Sequence, residues 1–263
     1  MEPAVRVTGV SKAFRSGGRE VLALQGIDLE VASGELVCLL GPSGCGKSTL
    51  LNAIAGFTPP TAGTVEANGR LVSGPGPDRA MVFQEYALFP WMTVEANVAF
   101  GLELKGGRRE EVRARVEALL RQLALWEFRD RFPKDLSGGM RQRVAIARVL
   151  AIDPPMLLMD EPFGALDALT RRNLQDELLR IWSALRKTIV FVTHGFEEAI
   201  YLADRVVVMT YRPGRVKRIV PVSLGRPRDT ASPEFNSLKR EVSELVMEEQ
   251  ARHEQDERGA TAG

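Results

Sequence analysis

The sequence has few cysteines, few histidines and almost no net charge. Of its 263 residues, two are cysteine and two are histidine, and the formal net charge is +1. Two cysteines cannot form a disulfide framework, so we expect both thiols to be reduced, in a cytosolic setting. The near-zero charge argues against a nucleic-acid binder that works by bulk electrostatic attraction.

Long apolar runs are also missing. No run approaches the roughly 20 residues that a membrane-spanning helix needs. The first six residues lack the basic start and apolar core of a signal peptide, so we expect any membrane role to depend on another subunit. The 44% hydrophobic content is enough to form the core of one large domain or two small ones.

A glycine-rich stretch matches the phosphate-loop pattern, in which glycine and any four residues precede Gly-Lys-Ser. The apolar run at 35–40 before it predicts a strand, and residues 50–55 after it predict a helix. Glycines let successive backbone N–H groups turn toward an anion at the start of the helix. The loop consists of Gly41, Pro42, Ser43, Gly44, Cys45, Gly46, Lys47, Ser48 and Thr49.

Two side chains of this loop have predicted roles. Lys47 would reach the β- and γ-phosphates of a nucleotide as a point charge, and Ser48 would bind a magnesium ion. The alternative is a glycine turn that only connects the strand to the helix.

The rest of the chain alternates strand and helix patterns, which predicts a largely parallel sheet with helices on both faces. Short strands are predicted at 5–10, 21–24 and 27–31, and a hairpin turning at Asn68-Gly69. A helix is predicted at 168–185, and a tail helix from Ser232 that frays after about Ala251. The inward face predicted for the 168–185 helix consists of Leu174, Leu178, Ile181 and Leu185.

Polar residues follow the apolar strands of this predicted sheet. Gln84 follows the run at 81–83, Asp160 and Glu161 follow the run at 156–159, and His194 follows the run at 188–193. In an open parallel sheet, ligands bind at the edge formed by the carboxyl ends of the strands. We therefore expect these residues to converge with the phosphate loop.

The two carboxylates suit different tasks in phosphoryl transfer to water. Asp160 suits a contact to the magnesium ion, and Glu161, which projects differently, is the candidate to orient or deprotonate the attacking water. The alternative is that both residues cap the helix that follows.

Two single residues have both a functional and a structural interpretation. His194 could hydrogen-bond the γ-phosphate, or it could be a structural histidine. Phe14 could stack on an adenine ring, or it could pack at the edge of the core.

With Leu136-Ser137-Gly138-Gly139 added to these motifs, the chain resembles the ATPase subunits of ABC transporters from Val5 to about Val246. The resemblance implies an α/β fold: a P-loop NTPase, RecA-like core with an antiparallel β subdomain and an inserted α-helical subdomain. It places the core at 1–85 and 153–224, the helical subdomain at 86–152, and a C-terminal helix with a frayed tail at 225–263.

The same resemblance implies a head-to-tail dimer that holds two ATP molecules. Each ATP would lie between the phosphate loop of one subunit and Ser137, Gly138 and Gly139 of the other, which is a second anion site at a helix start. The loop that ends at Asp167 would cross the dimer interface.

The remaining roles are also carried over by position. Phe14 stacks on adenine, Gln84 senses magnesium and water, Glu161 is the general base and His194 is the switch histidine. The start of the helical subdomain, around Trp91, would contact an integral membrane permease subunit.

Further motifs resemble the importer branch for nitrate, sulfonate, taurine and bicarbonate. They are Pro90-Trp91-Met92-Thr93-Val94 with Asn97-Val98, the stretch from Asp160 to Asp167, and Arg212-Pro213-Gly214-Arg215. This resemblance implies ATP-driven uptake of a small anion with a solute-binding protein as an indirect partner, at the cytoplasmic face of the inner membrane. Met140 stands where many relatives have glutamine, and Gly195 stands where an acidic residue usually follows the histidine.

Three other classes of function compete with this interpretation. A soluble ABC ATPase acting on nucleic acid or ribosomes would have fused cassettes, long insertions or a basic surface, and the sequence has none of these. The Leu-Ser-Gly-Gly stretch and Glu161 argue against a phosphate-loop kinase or GTPase. An exporter or lipid-extraction ATPase is excluded less firmly.

Overall fold

The computed structural model describes residues 2–16 and 19–261. Two compact units make up the chain. The first unit comprises Met1–Gly76 and Arg186–Gly263, and the second comprises Pro77–Leu185.

The described residues form ten strands and seven α-helices. The strands are β1 (Val5–Ser16), β2 (Arg19–Val31), β3 (Leu36–Leu40), β4 (Ala62–Ala67), β5 (Arg70–Leu71), β6 (Arg79–Val82), β7 (Met156–Asp160), β8 (Thr188–Val192), β9 (Arg205–Met209) and β10 (Val216–Pro221). The helices are α1 (Lys47–Ala55), α2 (Val94–Leu104), α3 (Arg109–Gln122), α4 (Gly138–Ala151), α5 (Ala168–Leu185), α6 (Phe196–Leu202) and α7 (Pro233–Thr261).

An antiparallel sheet in the order β2-β1-β4-β5 forms one part of the first unit. The prediction of two short strands at 21–24 and 27–31 was wrong, because β2 runs through both. Gly26 has a φ of 57° and donates its N–H to the Ser11 hydroxyl at 3.0 Å. A bulge of this kind re-aims the strand without ending it. The hairpin turn is confirmed, since Asn68 and Gly69 both have positive φ.

The second sheet of this unit contains the strand that leads into the phosphate loop. β3 pairs in parallel with β8 on one side and β9 on the other, and β10 pairs antiparallel with β9. Every residue of β3 and β8 is buried, which explains why both strands appear in the sequence as continuous apolar runs.

Helix α6 follows His194, and two arginines hold its carboxyl end. The Arg228 guanidinium donates to the carbonyls of Ile200 and Tyr201, and Arg226 donates to the Leu202 carbonyl. Burial lowers the pKa of Arg228 to about 10, so its side chain is still charged at neutral pH. These cations satisfy carbonyl groups that no helical N–H can reach.

Helix α7 is the predicted tail helix, and it is longer than predicted. Ser232 caps it by accepting from the Phe235 N–H at 3.2 Å, and its buried face includes Phe235, Val242 and Val246. It continues to Thr261 instead of fraying after Ala251. Glutamate, glutamine and arginine, which are frequent in this stretch, are good helix formers.

In the second unit, β6 and β7 form a parallel pair, and the helices pack around a core of aliphatic residues. Helix α3 buries one apolar face, which consists of Val112, Val116, Leu119 and Leu120. The inward face of α5 was predicted correctly except at Leu185, which is 43% exposed and ends the helix. Trp182 is buried on that face instead.

Candidate functional site

The phosphate loop lies between the buried strand β3 and helix α1. Its last residue before the helix is Gly46, with a φ of 96°, a conformation that favours glycine. The Leu50 N–H donates to the Gly46 carbonyl at 2.9 Å, so the helix begins at this point. Because glycine has no side chain to cap α1, the N–H groups of the first turn are suited to bind an anion.

Lys47 places a positive charge at this loop. Its side chain is buried, and its ammonium group donates to the carbonyls of Gly41 at 2.8 Å and Pro42 at 3.0 Å. The cation is therefore held close to the backbone that would surround a phosphate.

Cys45, in the same loop, is a buried and poorly reactive thiol. Burial raises its pKa, and the neighbouring Lys47 offsets only part of that effect. Burial also raises the pKa of Cys38 in β3. Neither thiol forms a disulfide in this structure.

Phe14 lies on β1 and is 43% exposed, so it is not a core residue. The Lys12 ammonium lies 5.2 Å from the centroid of its ring and also donates to the Pro59 carbonyl at 2.7 Å. An exposed ring with a cation beside it is suited to stacking on a flat, electron-rich ligand.

His194 lies two residues beyond the end of β8. In the register of the sheet, Val192 of β8 pairs with Leu39 of β3, so His194 lies at the same edge as the start of the phosphate loop. This part of the predicted convergence falls within the first unit.

The backbone around His194 is held by its neighbours. The Thr193 hydroxyl accepts from the Gly195 N–H at 3.0 Å and also bonds the Glu198 carboxylate. Position 195, directly after His194, is a glycine and has no acidic side chain. The carboxylate in this region comes from Glu198, one helical turn later. We did not single out Thr193 or Glu198 from the sequence.

In the second unit, Gln84, Asp160 and Glu161 lie at the carboxyl edge of the β6–β7 pair. Val82 pairs with Met159, and Gln84 and Glu161 each lie two residues beyond this pair. Both therefore lie at the same edge of the two strands. Glu161 has a φ of 44°, which is unusual for a residue other than glycine and is enriched at active sites.

The loop after Glu161 is stabilised by helix α5. Arg171 donates to the carbonyls of Phe163 at 3.2 Å and Leu166 at 2.8 Å. Asp167 accepts from the Thr170 N–H at 3.0 Å, and this hydrogen bond lowers the pKa of Asp167. Arg171 was missed in the sequence, although a basic residue in the first turn of a helix after such a loop is a usable signal.

Ser137 caps helix α4. Its hydroxyl accepts from the Met140 N–H at 3.3 Å, and the side chain is exposed. Gly138 and Gly139 follow as the first two residues of the helix. The second unit therefore contains a second glycine-rich helix start that can bind an anion.

A segment with exposed aromatic residues precedes α2. Trp91 is 70% exposed, and the fully buried Asn97 holds the backbone on either side of it. The Asn97 amide accepts from the Phe89 N–H at 2.9 Å and donates to the carbonyls of Phe89, Met92 and Thr93. The sequence did not reveal this role of Asn97.

No helix among the described residues is long and apolar enough to span a bilayer. In the same part of the chain, no group of three or more histidine, cysteine, aspartate or glutamate side chains could hold a metal ion by itself.

Comparison with known proteins identifies the family. Residues 24–164 match the family described as ABC transporter. An uncharacterized ABC transporter ATP-binding protein from Methanocaldococcus jannaschii is 51% identical, over 95% of this chain and 93% of its own length. An aliphatic sulfonates import ATP-binding protein from Bacillus licheniformis is 46% identical, over 92% of this chain and 93% of its own length.

A solved structure gives the same result. A dimeric ATP-binding cassette in a post-hydrolysis state, bound to ADP and Pi, is 33% identical with a TM-score of 0.75, over 84% of this chain and all of that one. The chain therefore belongs to the ABC transporter family. It has the ATP-binding cassette fold and is an ATP-hydrolysing enzyme of that family.

Proposed function

We propose that this protein is the ATPase subunit of an importer for a small anion, working through separate membrane permease subunits. The observation that carries the proposal is the pair of glycine-rich helix starts. The start of α1 has the buried cation Lys47, and the start of α4 is capped by Ser137. Two such anion sites in one chain suit a nucleotide that is bound from both sides.

The proposed reaction is transfer of the γ-phosphoryl group of ATP to water. Lys47 neutralises charge on the phosphates, and Glu161 accepts the proton of the attacking water as its oxygen bonds to phosphorus and the bond to ADP breaks. His194 donates a hydrogen bond to the γ-phosphate, and Phe14 stacks on the adenine. Positioning and charge neutralisation are the main requirements of this chemistry.

A magnesium ion fits the side chains proposed to hold it. The Ser48 hydroxyl, the Gln84 amide and the Asp160 carboxylate all present oxygen atoms, which this small, hard cation prefers. When bound, the ion would neutralise charge on the phosphate oxygens.

We further propose that two copies of the chain act together. Ser137, Gly138 and Gly139 of one copy would complete the phosphate loop of the other, and Asp167 would lie at the interface. The similar cassette that is dimeric and bound to ADP and Pi supports the pairing of two copies.

The permease would dock on the second unit. An apolar cavity of 390 Å³ there is lined by residues that include Met81, Phe83, Phe89 and Phe100. Arg148 fixes one wall by donating to the Ala87 carbonyl at 2.8 Å. With the exposed Trp91 beside Phe89, this surface suits an apolar helix of a membrane subunit at the cytoplasmic face.

The anion is proposed from the relatives. The sulfonate import protein of Bacillus licheniformis and the motifs around Trp91, Asp160 and Arg212 favour a sulfonate, taurine, nitrate or a similar small anion. A separate solute-binding protein would deliver the anion to the permease.

The test compares the wild type with Glu161→Gln. We expect wild-type ATPase activity, loss of at least about 100-fold in the variant because it lacks the proton acceptor, and a variant dimer trapped in ATP and magnesium on size exclusion. Uptake of labelled sulfonate, taurine and nitrate is then measured in cells of the source strain that carry either form. We expect uptake of one of these anions with the wild type only.

Equal hydrolysis in the two proteins would remove Glu161 as the general base. If the wild type hydrolyses ATP but the two forms give equal anion uptake, the proposed ATPase activity stands and the proposed role in anion import is rejected.

A further inference from the structure

The loop between β9 and β10, residues 211–215, lies against the phosphate loop; we call it the arginine loop. Arg212 donates from Nε to the Gly44 carbonyl at 3.3 Å. A Cβ atom added to Gly44 would lie 3.2 Å from Nη2 of the same guanidinium. The side chain therefore packs directly on the backbone of the phosphate loop.

The backbone of the arginine loop approaches the phosphate loop even more closely. A Cβ atom added to Gly214 would lie 2.1 Å from the Cys45 carbonyl oxygen, so only glycine fits there. Gly214 is also held to β2, because its N–H donates to the Ala23 carbonyl and its carbonyl accepts from the Gln25 N–H, both at 2.9 Å. The position of Gly214 is therefore fixed on both sides.

Helix α7 holds the other end of the arginine loop. The Tyr211 N–H donates to Oε2 of Glu249 at 3.3 Å, and Oε1 of Glu249 lies 2.8 Å from the Lys217 ammonium. Glu249 is buried, so these bonds satisfy a carboxylate that has little access to water. A continuous series of contacts leads from α7 through residues 211 and 212 to Gly44.

These contacts fix the orientation of one peptide group in the phosphate loop. The Gly44 carbonyl and the Cys45 N–H belong to the same planar, trans peptide, so they point in opposite directions. When Arg212 holds the carbonyl on one side, the N–H is held on the other, where it donates to the Pro42 carbonyl at 3.3 Å and closes a turn within the phosphate loop. A phosphate loop whose turn is already formed loses less entropy when its N–H groups bind a phosphate.

We propose that Arg212 is a positioning residue for the nucleotide, and that α7 sets its position through Glu249. The C-terminal helix thereby contributes to the ATP affinity of the phosphate loop. This inference rests on the proposed role of that loop in binding phosphate.

The test is Arg212→Ala, with Arg215→Ala as the matched control. Arg215 lies in the same loop, but it bonds the Gln25 side chain on β2. We expect Arg212→Ala to raise the Kd for a fluorescent ADP analogue and the KM for ATP about fivefold, which is about 1 kcal/mol, the cost of ordering the backbone of roughly one residue. The phosphate loop binds the nucleotide equally in the ground state and in the transition state of hydrolysis. Weaker binding should therefore raise KM and change kcat less than twofold.

The contribution of α7 is tested with Glu249→Ala and the neighbouring Glu248→Ala. Glu248 also pairs with Lys217, at 2.8 Å. We expect Glu249→Ala to raise the Kd about threefold, a smaller effect because Glu249 acts through Arg212. Glu248→Ala should leave the Kd unchanged, and combining Glu249→Ala with Arg212→Ala should add little to Arg212→Ala alone.

Lys47→Ala separates failure of this inference from failure of the proposed function. If the wild type binds the ADP analogue no better than Lys47→Ala, the proposed function of the loop is wrong. If Lys47→Ala abolishes binding but Arg212→Ala matches Arg215→Ala, the inference about Arg212 is overturned. Equal Kd values for Glu249→Ala and Glu248→Ala would reject the role of α7.

Discussion

Two fully buried amides in the second unit have opposite environments. Asn97 makes four hydrogen bonds to the backbone of residues 89–93. Gln142 in α4 is equally buried, yet neither amide atom has a hydrogen-bond partner among the residues that the structure describes. A buried polar group without a partner loses its hydration without compensation, at a cost of about 1–3 kcal/mol.

We predict that Gln142→Met, which keeps the length of the side chain, raises the free energy of unfolding by about 1 kcal/mol. The matched variant Asn97→Leu should lower it by about 3 kcal/mol, because it leaves several buried backbone groups unpaired. Urea unfolding of the purified proteins measures both. Destabilisation by Gln142→Met would mean that the amide has a partner in solution.

At the level of single residues, the sequence indicated those residues that stand in contiguous motifs. The phosphate loop, Ser137 and Glu161 stand in short motifs whose spacing has a physical reason. The contact between Arg212 and Gly44 joins residues 168 positions apart, and no local pattern marks it. The same applies to Arg148, whose carbonyl partner Ala87 lies 61 positions away.

Among the elements, the packing of α4 against α5 depends on one glycine. A Cβ atom added to Gly139 would lie 2.6 Å from Cγ2 of Thr170, whereas one added to Gly138 would lie 3.4 Å from its nearest neighbours. The first distance requires Thr170 or the helix that carries it to shift, and the second is an ordinary van der Waals contact. Two adjacent glycines therefore have different structural requirements.

We predict that Gly139→Ala lowers the free energy of unfolding by about 1–3 kcal/mol, as overpacking does. Gly138→Ala should leave it unchanged or raise it by about 0.5 kcal/mol, because alanine is the better helix former. Thermal unfolding monitored by circular dichroism compares the two with the wild type. Equal stability of both variants would show that Thr170 can move aside without cost.

Element types were predicted more reliably than element ends. The bounds of α5 were correct, because its apolar spacing is regular over 18 residues. The long strand β2 was divided into two, because a bulge at Gly26 looks like a turn in the sequence. The polar end of α7 was missed, because charged residues without an apolar stripe carry no periodic signal.

For the whole molecule, the phosphate loop lies in the first unit and Ser137 lies in the second. If two copies complete each other's sites, a defect in either motif can be compensated by a partner with the opposite defect. This follows from the twofold symmetry of a head-to-tail pair.

We predict that Lys47→Ala and Ser137→Arg are each inactive alone and regain ATPase activity when mixed. In a mixed pair, one site combines the intact phosphate loop of one copy with the intact Ser137 of the other. Equimolar mixing should restore about a quarter of wild-type activity, since half of the pairs are mixed and each has one intact site. Activity that stays absent, although cross-linking detects mixed pairs, would contradict shared sites.

The hydrogen bond of Ser137 restricts which amino acids suit this position. Its oxygen accepts from the Met140 N–H, so its own proton is still available for donation. Aspartate and asparagine cap helices equally well, but aspartate would repel a phosphate and has no proton to give at neutral pH. Selection for folding alone would thus accept aspartate here, whereas selection for phosphate binding at this helix start would reject it.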